Sequence, residues 1–162
     1  MSEHSVDVFV SSCEVEERET RPERRLLRFD PMAFTWEGVG VGAYKPSVES
    51  LLAWEGVTRH VLVGAAGEPV AFQLRYFEIR PGGFSSLERH QHAHAVVVLR
   101  GRGQVRVGED LFEVRPYDVV YVPPDVPHQF RNPDPRELFG FLCPVDADRD
   151  APRPVLREAE EA

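Results

Sequence analysis

Residues 82–101 have the sequence GGFSSLERHQHAHAVVVLRG, and residues 117–132 have the sequence YDVVYVPPDVPHQFRN. The first stretch holds a glutamate and three histidines, and the second holds a fourth histidine, His128. Residues two positions apart on a β-strand point to the same side, so Glu88 and His90 can reach one point. A residue on a neighbouring strand can join them, and imidazole with carboxylate suits a divalent transition-metal ion. The alternative is a solvated turn that is merely rich in histidine.

The residues around these two stretches predict a series of short β-strands. The predicted strands are Val57–Val63, Ala71–Arg80, Val96–Leu99, Gln104–Val107, Leu111–Val114, Val119–Val122 and Leu138–Cys143. A Gly or Pro lies within two residues of the end of each one, as is typical of strands that are closed by turns. Short strands at roughly ten-residue spacing favour an all-β sandwich or a small barrel.

The composition excludes several classes of protein. The chain has 162 residues, which is enough for one domain. Its net charge of −8 lacks the basic footprint of a nucleic-acid-binding protein. Two cysteines, Cys13 and Cys143, are not a disulfide framework. No apolar stretch is long enough to span a membrane, and the first residues do not resemble a signal peptide. We therefore expect a cytoplasmic protein.

The first histidine stretch resembles the first motif of the cupin family. That motif reads Gly, five residues, His-x-His, three or four residues, Glu, six residues, Gly. Here Gly82, Glu88, His90, His94 and Gly101 stand at those positions with every spacing kept. Two identities differ, because Glu88 stands where the family has its first histidine and His94 stands where it has its glutamate.

The second stretch resembles the second cupin motif, which reads Gly, five residues, Pro-x-Gly-x-x-His, three residues, Asn. Tyr117, Pro123, Asp125, His128 and Asn132 stand at these positions. Both glycines are replaced, by Tyr117 and Asp125. Aspartate tolerates the left-handed backbone conformation that such a turn can need, so Tyr117 is the more unusual replacement.

The resemblance, which is greatest to small single-domain bacterial cupins, implies an all-β fold. We expect a cupin jelly-roll β-barrel (double-stranded β-helix) over residues 57–145, with an N-terminal extension. Residues 1–25 are predicted to form a charged arm, and 26–56 a lead-in that packs on the barrel or at a dimer interface. Residues 146–162 are predicted to form a charged C-terminal tail. We expect a homodimer.

The resemblance also implies one divalent transition-metal ion in the barrel. The ligands carried over by position are Glu88, His90, His94 and His128, and His92 is the alternate that could replace Glu88. Mn or Fe is favoured, because a carboxylate is a harder ligand than imidazole, and Zn or Ni is the second choice.

Further residues are placed by their family positions. Four of them would line the barrel interior beside the ion: Ser85, Phe130, Phe141 and Cys143. His4 and His60 are predicted at the surface. Asn132 is predicted to hold the turn after His128. No second carboxylate, lysine or arginine near the motifs marks a general base for a sugar or acid substrate, and the catalytic residues stay unassigned.

These residues predict a metal-binding cupin that acts on a small organic molecule. The chemistry is expected to be dioxygenase-like or of Lewis-acid type, in an oxygenase, a lyase or an isomerase. The alternative is a non-catalytic, metal-dependent module that binds or senses a small ligand. A storage barrel is the weakest hypothesis, because four candidate ligands stand in register.

Overall fold

The computed structural model describes residues 25–45 and 53–155, which form β-strands and no helix. The strands are β1 (Phe29–Asp30), β2 (Thr35–Trp36), β3 (Gly42–Ala43), β4 (Glu55–Val63), β5 (Phe72–Phe84), β6 (Glu88–Arg89), β7 (His94–Arg100), β8 (Gly103–Val107), β9 (Asp110–Val114), β10 (Val119–Val122), β11 (His128–Arg131), β12 (Phe139–Asp146) and β13 (Arg153–Pro154). In the described ranges, nothing has the helical length and apolarity that crossing a membrane requires. Most of the predicted N-terminal arm lies outside these ranges.

Eleven of the strands form one antiparallel sheet, and β1 and β2 form a separate pair. The path of the large sheet is β10-β7-β12-β5-β11-β6-β13, with β4 beside β5, β3 beside β4, and β8 between β9 and β11. The 13-residue strand β5 pairs with β4, β11 and β12, so it joins both halves of the curled sheet. The expected all-β cupin fold is confirmed.

Two strands continue through prolines at which the sequence predicts an end. β12 passes through Pro144 to Asp146. Its pairing with β7 stops at Leu142, so Pro144 faces a paired strand on one side only and its missing N–H breaks no ladder. β5 passes through Pro81, which lies where no registered partner exists between Ile79 and Phe84.

The two faces of the β4–β5 region are buried for different reasons. The inner face is the barrel core, in which Ile79 and Phe139 are fully buried. The outer face is covered by the lead-in, whose Trp36 ring lies 5.0 Å from that of Tyr76. The ring of His60 lies 5.7 Å from that of Tyr76, and His60 is only 5% exposed, so the predicted surface position of His60 is wrong. His4 lies outside the described residues.

At the two positions where the cupin motif has glycine, the backbone keeps the left-handed conformation that glycine favours. Asp125 has a φ of 59° and Tyr117 a φ of 77°, both in the left-handed region. The Tyr117 side chain is 83% exposed, so its ring lies in solvent and the substitution costs only local backbone strain. These turns place the strand that begins at His128 beside β6.

Candidate metal centre and substrate pocket

Three buried histidines face one another inside the barrel. His90 follows β6, His94 opens β7 and His128 opens β11. Their ring centroids are 4.6, 4.8 and 5.0 Å apart, and each pair of ring planes meets at 74° or more. The register explains the convergence, because His128 pairs directly with Glu88 across β11 and β6. Three edges of three rings therefore point at one volume.

Backbone carbonyls fix the orientation of two of these rings. His90 Nδ1 lies 2.8 Å from the carbonyl oxygen of His92, and His128 Nδ1 lies 2.9 Å from that of Val126. Each Nδ1–H donates to its carbonyl, which leaves the lone pair on Nε2. The Nε2 atoms of His90 and His94 are 2.9 Å apart. With the proton of His94 on Nδ1, the Nε2 lone pairs of both rings face each other, and a cation held between them removes their repulsion.

Burial keeps the three imidazoles neutral. It lowers the pKa of His90 to about 4, with smaller contributions from His128 and His92. Burial, followed by the neighbouring His128 and His90, holds the pKa of His94 far below its ordinary value. The pKa of His128 is also lowered, again by burial first. Neutral imidazole is the form that binds a metal, so these donors fit a divalent ion at neutral pH.

Glu88 stands beside the histidines with one carboxylate oxygen already held. Its Oε2 accepts hydrogen bonds from Lys45 Nζ and Ser86 Oγ, which leaves Oε1 as the oxygen that a metal could take. One ligand atom from each of Glu88, His90 and His128 lies within 4.8 Å of the others.

His92 belongs to a second group of candidate ligands, with His90 and His94. Its ring stacks on that of His90 at 3.5 Å. Its Nδ1 lies 2.8 Å from Asp150 Oδ1, so that carboxylate orients the ring from the pocket rim. The structure thus brings all five predicted ligands together, and whether Glu88 or His92 completes the set stays a prediction.

A buried thiol adjoins this cluster. Cys143 Sγ lies 3.1 Å from His94 Nδ1 and 3.6 Å from Arg75 Nη2. Cys143 on β12 stands directly opposite Arg75 on β5, and its side chain is 3% exposed. Burial raises the pKa of this thiol, and Arg75 opposes that rise.

These groups border a cavity of about 180 Å³ inside the barrel. The four residues predicted to line the interior, Ser85, Phe130, Phe141 and Cys143, all border it. Phe130 and Phe141 stack with centroids 4.6 Å apart and form its apolar wall. Asn132 does not border it and holds the turn after His128, because its Nδ2 donates to the carbonyls of Ile79 and Glu137.

Four cations border the same cavity, and the sequence analysis missed them. They are Lys45, Arg59, Arg75 and Arg149. Two of them could have been predicted from strand alternation, because residues two apart on a strand point to the same face. Arg75 is two residues from the inward Phe77, and Arg59 is two residues from the inward Val57. Lys45 and Arg149 lie outside the predicted strands and could not be predicted in this way.

Comparison with known proteins identifies the family. The model of the cupin domain matches residues 75–141. The 1-methylthio-D-xylulose 5-phosphate methylsulfurylase of Rhodospirillum rubrum is 48% identical over 120 residues, which are 74% of each chain. This chain belongs to the cupin family, whose members typically bind a metal ion in the barrel.

Two solved structures resemble the whole barrel. A cupin-2 domain protein from Rhodospirillum rubrum is 43% identical and has a TM-score of 0.68, over 85% of this chain and 86% of that one. A cupin 2 conserved barrel domain protein from Rhodopseudomonas palustris is 39% identical and has a TM-score of 0.70, over 82% of this chain and 87% of that one.

Proposed function

We propose that this protein is a metal-dependent enzyme that removes the methylthio group from a ketose phosphate. The reaction class is the one that the name of its 48%-identical relative describes. The observation that carries the proposal is the buried thiol of Cys143, which lies 3.1 Å from His94 at the candidate metal centre. A thiol can accept a methylthio group, because a thiolate attacks a divalent sulfur whose other substituent leaves with the bonding electron pair, as in disulfide exchange.

The chemistry of such a substrate suits a Lewis acid. In a 1-methylthio-2-ketose, the carbon that bears sulfur is next to the carbonyl carbon. A metal ion held by Glu88, His90, His94 and His128 would polarise that carbonyl and stabilise the negative charge of an enolate. The protein supplies neutral imidazoles for this purpose, because burial keeps the pKa of His90 at about 4.

The thiol has two donors that favour its ionised form. With His94 Nε2 serving as a ligand, the ring proton resides on Nδ1, which then donates to the sulfur of Cys143. Arg75 Nη2 is the second donor, 3.6 Å from the same sulfur. Hydrogen bonds and positive charge favour the thiolate and so oppose the effect of burial.

The transfer of the methylthio group from the substrate to Cys143 needs no added oxidant. The Cys143 thiolate attacks the methylthio sulfur, an S–S bond forms, and the bond between C1 and sulfur breaks. The electron pair of the broken bond moves to C1 and into the carbonyl group, which gives an enolate. The enolate takes a proton at C1 and leaves as a 1-deoxyketose phosphate. Cys143 is left as a methyl disulfide, and a low-molecular-weight thiol restores it by disulfide exchange.

The test is methylthio release by the purified, Mn(II)-loaded protein. With 1-methylthio-D-xylulose 5-phosphate and excess dithiothreitol, we expect methanethiol and the deoxy sugar phosphate. Without added thiol, one turnover should add the mass of a methylthio group, less one hydrogen, to the peptide that contains Cys143. Cys143→Ser should lose release by at least about 1000-fold, and Cys13→Ser is the matched control.

The same assay separates this proposal from the other hypotheses. Oxygen consumption that matches product formation would favour the dioxygenase-like reaction. Binding of the sugar phosphate without any product would favour the non-catalytic module. Full release by Cys143→Ser would show that the thiol is not the acceptor.

A further inference from the structure

Three arginines from three separate segments meet in the pocket that holds the histidines. Arg59 lies on β4, Arg75 on β5, and Arg149 follows β12. All three border the cavity. We call them the arginine end and call His90, His94 and His128 the histidine end.

The arginine end has no carboxylate partner among residues 25–45 and 53–155. The two carboxylates that border the cavity are used elsewhere: Glu88 pairs with Lys45, and Asp150 pairs with His92. Arg149 Nη1 donates to the carbonyls of Asp146 and Ala147, which do not neutralise its charge. Three positive charges therefore share one wall without a balancing carboxylate.

These charges act on one another and are partly removed from water. Burial, followed by the charge of Arg75, lowers the pKa of Arg59. Burial, followed by the charges of Arg75 and Arg59, lowers the pKa of Arg149. Arg59 and Arg149 nevertheless remain guanidinium ions at neutral pH, because an arginine pKa starts above 12. Gathering like charges in a half-buried wall is unfavourable unless an anion completes the site.

We infer that Arg59, Arg75 and Arg149 form the subsite that binds the phosphate monoester of the substrate. The inference rests on the proposed function for the identity of the rest of the substrate. Guanidinium groups from several directions suit a tetrahedral phosphate, which offers several oxygens, better than a planar carboxylate. The chain as a whole carries a net charge of −8, so an anionic substrate needs such a local positive patch.

The position of the thiol agrees with a substrate that spans both ends. Cys143 Sγ contacts His94 on one side and Arg75 on the other. A ketose phosphate has its carbonyl near one terminus and its phosphate at the other. Its carbonyl can therefore face the histidine end while its phosphate occupies the arginine end, with the reacting sulfur near the thiol.

The first test is binding of inorganic phosphate by the full chain after metal has been removed with a chelator. Arg59→Gln and Arg149→Gln should each bind phosphate about tenfold more weakly than the unmodified protein in calorimetry. Arg59→Lys should bind phosphate with an intermediate affinity, because lysine keeps the positive charge but loses the paired N–H donors of the guanidinium group. Arg106→Gln is the matched control, since Arg106 pairs with Glu109 away from the pocket. Equal affinity in all variants would overturn the inference.

The second test compares 1-methylthio-D-xylulose 5-phosphate with the same ketose lacking phosphate. Arg149→Gln should raise KM for the phosphorylated substrate about tenfold and leave kcat/KM for the other unchanged. Equal losses on both substrates would contradict a phosphate role. If the unmodified protein releases no methylthio group from either, yet binds phosphate through these arginines, the proposed function fails and the anion subsite stands.

Discussion

The histidine end and the arginine end of one cavity have opposite electrostatic characters. At the histidine end, neutral imidazoles present lone pairs, and a carboxylate stands beside them. At the arginine end, guanidinium groups present N–H donors, and no described carboxylate pairs with them. The donors of one end suit a cation, and those of the other suit an anion. The difference fits the proposed ligand, which has a carbonyl near one terminus and a negative group at the other.

The largest expected effect comes from removing a ring at the histidine end. His128→Ala should weaken Mn(II) binding by more than about 100-fold, because a direct ligand matters at least as much as an outer partner. His60→Asn is the control, since His60 is buried on the outer face of the sheet. The measurement is metal content per folded chain after gel filtration. Full stoichiometry in His128→Ala would contradict the assignment.

The next variant pair decides between the two candidate ligands. Glu88→Gln should weaken Mn(II) binding about tenfold, because it removes a negative charge from the ligand set. His92→Gln should change it less than about threefold, because the ring of His92 stacks parallel to that of His90, so the lone pairs of these two rings do not converge on one point. Titration calorimetry measures both. The reverse order would make His92 the ligand and Glu88 a neighbour.

The thiol between the two ends reports on both of them. Burial raises the pKa of Cys143 in the absence of a metal. Mn(II) loading should lower this pKa by about 1 unit, since it makes His94 Nδ1 a donor to the sulfur. The pH dependence of iodoacetamide alkylation, measured in a Cys13→Ser background, gives the value. An unchanged profile would show that the thiol and the metal centre are not coupled.

The smallest expected effect is the acid sensitivity of the metal-free protein. The pKa of His90 is about 4 in the folded protein and near 6.5 in an unfolded chain. Between these values the unfolded state binds more protons, so stability falls as the pH decreases from 6.5 to 4. The melting temperature should drop on the order of 5 °C over this window.

Two variants sharpen this comparison between the ends. His90→Gln should flatten the dependence of melting temperature on pH. Arg59→Gln should leave the slope unchanged, because an arginine does not titrate in this window. A slope that is the same in all three proteins would exclude His90 as its source.

The histidine end could be predicted from the sequence because its spacing follows from strand geometry. Glu88, His90 and His94 lie within seven residues, and His128 returns on the strand paired with β6. The fold was predictable for a similar reason, since Gly or Pro marks most strand ends. The strands that pass through Pro81 and Pro144 were not, because only pairing shows which side of a strand lacks a partner.

The arginine end could not be predicted in the same way, because no spacing links its members. Arg59, Arg75 and Arg149 are 16 and 74 residues apart along the chain. Their meeting depends on the register of β4 and β12 with β5, which only the folded sheet supplies. The surface position predicted for His60 was wrong, because no sequence pattern shows that the lead-in packs on Tyr76, the ring beside which His60 lies.

A crystal structure of the Mn(II)-loaded Cys143→Ser protein with 1-methylthio-D-xylulose 5-phosphate tests the central claim most directly. The account predicts anomalous density for Mn at His90, His94 and His128, the ketone oxygen next to it, and the phosphate against Arg59 and Arg149. Mn bound elsewhere, or a phosphate that lies in solvent away from these arginines, would contradict the account.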